Sequence, residues 1–374
     1  MGGKKTIIIT NTAIILIFII LATIAAVFCI LTGCGIDFGG DQTGESGEFE
    51  DYQKNIVVSK AKKDSIPPLE FPRYVSVDDA KKYMDNGDIV FLYTDGSSSW
   101  IFPRKIMVWH EIVNDKFNEK PLSITYCPLT GSVIGYVRNT GGEETTFGTS
   151  GRLLNSNLVL YDRLTQSLWS QIMGTAVSGK LAGEELKIVP VIWTNWGDAS
   201  FEYPESLVLS DQTGFLRDYQ KDPYGSYDDP ASYYVSGDPL FPLMSYNYDL
   251  PFKEVVVAIK SENRTYTIRK SDVVKNRVVN GGLPEFLFVA IYDERLDAVR
   301  VFDRDFDGQI HDFEYADNKI ISTGLNYTWT ADGFLESKVS LVSNQKRLSP
   351  VDSFEVMWFS WSAFYPETII TGNT

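Results

Sequence analysis

Apolar and polar positions fall into two regimes along the chain. From residue 13 to residue 31 every position except Thr23 is apolar. A helix needs about 20 such residues to cross a hydrocarbon layer. No face of the run is polar, unlike a helix lying on the surface of a globular core. Lys4 and Lys5 precede it, and basic residues there favour a cytoplasmic N-terminus, which sends the rest of the chain outside. Beyond this run the pattern shortens. Segments 89–93, 122–126, 133–137 and 158–161 are β-branched or aromatic and are bounded by Gly, Asp, Asn and Ser, which predicts strands. Asp95-Gly96, Gly141-Gly142 and Asp307-Gly308 supply the positive φ that tight hairpins need. Helices are few. Ser76 with Asp79 forms a capping box opening a short helix to Met84, and a second is predicted over residues 104–113. The expected class is mainly β, a β-rich α+β protein with few short helices.

The pattern also repeats. Trp196 and Tyr203-Pro204-Glu205 are echoed by Trp358 and Tyr365-Pro366-Glu367, and Trp169 by Trp329. Upstream, the run at 89–93 is echoed at 255–259. The echoes keep their order, which points to a duplicated module. Four segments are expected: a signal or membrane anchor over 1–34, a flexible acidic tether over 35–64, a first β-rich module over 65–253, and a second, degenerate repeat over 254–374. Leu31-Thr32-Gly33-Cys34 resembles the lipobox of secreted lipoproteins, which makes Cys34 a lipidation site. The apolar run is longer than the roughly 7–15 residues of a signal peptide, so an uncleaved transmembrane helix is the alternative. Both place the body at the cell surface, on the extracytoplasmic face of the membrane.

Aromatic residues make up 13% of the 374, a content that disordered chains lack. The body therefore folds. The net charge of −15 excludes nucleic acid as a partner, since binding it requires basic stripes. Cys29 and Cys34 belong to the anchor region, leaving Cys127 as the body's one thiol, so no disulfide staples the fold.

Several ordered motifs carry a family resemblance. They are Trp109-His110-Glu111-Ile112-Val113-Asn114-Asp115, Thr125-Tyr126-Cys127-Pro128-Leu129, Phe147-Gly148-Thr149-Ser150-Gly151, Tyr161-Asp162-Arg163 and Asp222-Pro223-Tyr224-Gly225. Together they resemble the domain-of-unknown-function family 3179 of bacteria and archaea, over nearly all of residues 64–370. The resemblance implies no activity. That family usually reads Cys-Pro-Leu-Cys-Gly where this chain has Thr130, so a role needing two thiols is not implied.

Among the residues themselves, His110 and Cys127 are the chemical candidates. Cys127 ends a predicted strand at a proline turn, and a cysteine with a nearby histidine can form an activated thiolate. On a helix, Asn114 would share a face with His110 and orient its ring. The same His110–Cys127 pair suits a soft metal such as copper. Neither recurs in the second repeat, where the aligned positions are Asn276 and Asp293. Asp303, Asp305, Asp307 and Glu314 match the spacing of a calcium loop. The flanking segments read as strands, so a hairpin turn is expected there instead. The function expected is a surface-anchored binding or accessory module for a small ligand, metal or envelope partner. The alternative is a Cys–His enzyme acting on envelope material.

Overall fold

β-branched and aromatic runs between Gly and Asp turns pair locally, and local pairing builds most of the body. The computed structural model of the chain describes residues 46–306, 308–323, 327–329, 334–337 and 346–372. The anchor segment, including Lys4, Lys5 and Cys34, lies outside them, as does the first part of the tether. Among the described residues no helix is long and apolar enough to cross a membrane.

Ile89–Thr94 and Ser99–Pro103 form an antiparallel hairpin. Its turn is closed by Asp95, whose Oδ1 accepts the backbone N–H groups of Ser97 and Ser98 at 2.9 Å each. Ile192–Asn195 joins one edge antiparallel, and Leu207–Leu209 joins the other in parallel. The helix Arg104–His110 follows the hairpin. Next comes a meander of Ile112–Phe117, Lys120–Cys127 and Ser132–Val137. A small ribbon then turns at Gly141 and Gly142, both at positive φ. A second sheet follows through the Phe147–Leu154 and Asn157–Asp162 hairpin.

The chain then lays down the same succession again. Val255–Lys260 and Thr265–Arg269 form the hairpin, with Ser353–Met357 antiparallel on one edge and Ile369–Thr371 parallel on the other. The helix Lys270–Asn276 follows, then the meander Val278–Leu283, Phe286–Asp293 and Ala298–Asp303. Ile89, Ser99, Arg104, Ile112, Lys120 and Ser132 open elements whose counterparts open at Val255, Thr265, Lys270, Val278, Phe286 and Ala298, a constant offset of 166 between the residue numbers. Side-chain devices recur at that offset. Asn114 brackets Phe147, donating to its carbonyl at 2.9 Å and accepting from its N–H at 3.0 Å. Asn280 brackets Phe313 in the same way, at 2.7 and 3.0 Å. The helices Trp196–Glu202 and Trp358–Phe364 both open on a buried tryptophan. Trp169 and Trp329 differ, the first fully buried and the second only partly so.

The two sets share a core. Val256, Ala258, Phe354, Trp358 and Trp361 of the second set pack in one cluster with Ile112, Cys127, Leu160 and Trp169 of the first. The Met357 N–H donates to the Thr130 carbonyl at 2.8 Å. Residues Phe49–Thr374 accordingly form one compact unit.

Three expectations need correction. The tether is ordered from Ser46: a helix runs over Ser46–Lys54, and Val57–Val58 pairs with Leu153 and Arg152. Its apolar residues Phe49, Tyr52 and Ile56 pack on the core, which an acidic average conceals. The second helix stops at His110, three residues short of Val113, because Glu111 turns left-handed at φ 58° and its N–H closes on the Met107 carbonyl. Asn114 therefore lies in a strand, and its side chain serves Phe147 and Ser123, not His110. In the acidic segment the expected hairpin is present: Asp305–Phe306 pairs with Gln309–Ile310, and Asp303 Oδ1 accepts the Asp305 N–H at 2.8 Å. Asp307 falls outside the described residues, and Glu314 is exposed in a strand.

Candidate functional site

His110 closes its helix with a fully buried ring. Nδ1 lies 2.8 Å from the Pro67 carbonyl, which can only accept, so this nitrogen carries the proton. Nε2 lies 2.7 Å from the Tyr219 hydroxyl, which in turn meets the Thr213 hydroxyl at 2.5 Å. Burial, above all, holds the imidazole below its ordinary pKa. Both nitrogens are occupied, and the ring fastens the loop around Tyr219 to the body. No hydrogen bond joins His110 to Cys127 among the described residues. The geometry gives His110 no free nitrogen for a metal or for general-base work.

Cys127 ends its strand opposite Ser132 and is only 1% exposed. Burial, and then the charge of nearby Glu111, push its thiol up to about 11. It is a protonated thiol at neutral pH rather than an activated thiolate. The turn that follows is held by a buried amide network. Asn157 Nδ2 donates to the Thr130 hydroxyl at 3.0 Å and to Gln171 Oε1 at 2.7 Å. Ser132 donates to the same Gln171 oxygen at 2.8 Å. Thr130, the departure from the family pattern, is thus a fully buried member of this network whose hydroxyl also lies against the thiol.

The residue beside Cys127 is Glu111, which the sequence passed over. It is 6% exposed, and no hydrogen bond or ion pair of its carboxyl is found among the described residues, although its oxygens are not among the fully buried atoms left without a partner. Burial alone raises its pKa to about 8, so it holds its proton at neutral pH. No local rule singles out one glutamate in a helix-to-strand junction. The available signal was the offset: its counterpart is Arg277, which also sits left-handed, at φ 68°. The backbone conformation is therefore common to both sets, and the buried acid belongs to the first alone.

Glu111 lines a cavity of about 630 Å³. Leu129, Leu153, Leu158 and Phe241 form apolar wall, Tyr224 faces the acid, and Lys60 and Arg152 stand at the edge. The ordered part of the expected tether supplies one side. Gly151, at φ +73°, runs so close to it that a Cβ there would lie 2.3 Å from the Ala61 carbonyl oxygen. The second set has a cavity in the same place, of about 180 Å³. Where the first is lined by Glu111, Leu129 and Thr149, the second is lined by Arg277, Arg295 and Tyr315, and also by Asp293, whose counterpart Cys127 does not line the first. Its side chains pair: Arg295 with Asp293 at 2.9 Å and with Glu202 at 2.8 Å, and Arg277 with Glu294 at 3.3 Å. The first set also has the longer hairpin. Phe147 pairs with Asp162 but Phe313 with Ser322, and the extra residues carry Gly151, Arg152, Leu153 and Leu158. The larger cavity is largely apolar beside a lone acid, and the smaller is lined by ion pairs.

No curated protein and no solved structure matches the chain. A family model described as "Protein of unknown function (DUF3179)" matches residues 63–368, which takes in both sets of elements, the Glu111 cavity and the Cys127 turn. With most of its length matched, the chain belongs to the DUF3179 family.

Proposed function

We propose that this protein is a surface-anchored binding module that holds a small, largely apolar molecule in the cavity over Glu111. The observation that carries the reading is the unpaired carboxyl at the floor of an open apolar chamber. Withdrawing a carboxyl from bulk water favours its neutral form, and groups perturbed in this way cluster at functional sites. The second supporting fact is the smaller counterpart, in which arginines and acids of the same frame pair with one another. On this reading the two sets descend from one duplicated unit, and only the first kept a site. The segment over residues 13–31 anchors the body to the membrane with the cavity outside the cytoplasm. Its support is the hydropathy and the Lys4–Lys5 start. Mass spectrometry of the natural N-terminus separates lipid on Cys34 from an intact Met1 helix.

The neutral dye N-phenyl-1-naphthylamine tests the chamber. It is expected to bind one-to-one with enhanced fluorescence. Leu129→Arg, which copies Arg295 of the second set, is expected to abolish that binding while the protein stays folded. Absence of binding, or binding unchanged in Leu129→Arg, would count against the cavity as the site.

A further inference from the structure

The ionisable groups around this cavity share one property. Glu111 at the floor retains its proton at neutral pH, as do the Cys127 thiol and the Tyr224 hydroxyl, whose pKa values burial raises in each case. Behind Cys127 stand Tyr233 and, over its ring at 3.2 Å, Lys253. At the rim are Lys60 and Arg152, both exposed, and neither has an ion pair among the described residues. Glu111 is the one carboxyl among the residues lining the cavity. The lining therefore offers proton donors and cations and no resident anion. It does so in a chain whose formal charge is −15. Unneutralised cations at the mouth of a low-dielectric chamber focus the field on that mouth and attract ligands of opposite sign.

We propose that the occupant of this cavity is an anionic amphiphile, with its acidic group between Lys60 and Arg152 and its apolar body against Leu129, Leu153 and Leu158. The proposal rests on the reading of the cavity as a binding site and adds the charge class of the ligand. The pocket selects by two criteria. The walls exclude a compact hydrophilic anion, since nothing there would replace its hydration. The rim favours an acid over an apolar molecule of the same shape.

The test compares two dyes of related shape on the full-length protein. 1-Anilinonaphthalene-8-sulfonate carries a sulfonate, and N-phenyl-1-naphthylamine carries none. The sulfonate is expected to displace the neutral dye, showing one shared chamber. Arg152→Gln is expected to weaken sulfonate binding about fivefold and Arg152→Glu further, as the loss or reversal of one near charge implies. Lys60→Gln is expected to act in the same direction, and added salt to weaken the sulfonate alone. The neutral dye should change less than twofold in all of these. Both substitutions are at exposed positions, so the fold is not at risk. If the two dyes respond alike to Arg152→Glu and to salt, or do not compete, the anionic proposal is overturned while the cavity reading stands. If neither dye binds the wild-type protein, the cavity reading falls and takes the proposal with it.

Discussion

Glu111 is an acid largely withdrawn from bulk water, and its proton balance follows. The unfolded chain releases this proton near the ordinary value of 4.5 and the folded chain near 8. Between those values the folded state holds more protons, so stability falls as pH rises, by about 1.4 kcal/mol per unit for this group. Lys253, lowered to about 7 by burial, acts in the opposite direction at higher pH. The difference between wild type and Glu111→Gln isolates the carboxyl. Urea unfolding at pH 5 and pH 8 should show the variant gaining relative to wild type at the higher pH, and a constant difference would refute the buried proton. Asn114 offers a second residue-scale prediction. Asn114→Ala leaves both backbone groups of buried Phe147 without their partner. It should cost about 2–4 kcal/mol in chemical denaturation. Asn280→Ala, at a half-buried site, should cost less.

At the scale of elements, the segment before the expected domain boundary contributes to the fold. Val57–Val58 extends the sheet of Phe147–Leu154, and Gln53 Nε2 donates to the Val177 carbonyl at 2.9 Å. A chain beginning at Ser65 should therefore melt lower than one beginning at Ser46, and should lose dye binding along with the cavity wall. Equal melting temperatures would show the segment to be dispensable. Strands and hairpins were legible in the sequence because their signals are local: a period of two, β-branched runs, and Asp-Gly or Gly-Gly turns. The order of the echoes, at spacings that range from 160 to 166 residues, could be read from tryptophans and Tyr-Pro-Glu. The site was legible only in its neighbourhood. His110, Cys127 and Asn114 were singled out as chemical, yet a helix end at a non-glycine residue separated His110 from Asn114. Burial makes Cys127 a core residue and keeps its thiol protonated. Neither a left-handed glutamate nor an unpaired carboxyl has a sequence signature.

For the whole molecule, the shared core sets the cooperativity. Phe354 and Trp361 of the second set pack with Cys127 and Trp169 of the first, and Thr194 donates to the Leu296 carbonyl across the sets. Far-UV circular dichroism and tryptophan fluorescence should thus report one coincident unfolding transition. Two separated transitions would mean that the sets fold independently. The left-handed helix ends at Glu111 and Arg277 add a last consequence. Each fixes a backbone direction and leaves the side chain at its tip unspecified, so the chemistry at that tip can change without disturbing the scaffold. One set places a protonated acid beside an apolar cavity, and the other places an arginine paired with Glu294. Every molecule of this protein thus carries two versions of one junction, so a change at residue 111 has an internal comparison at residue 277.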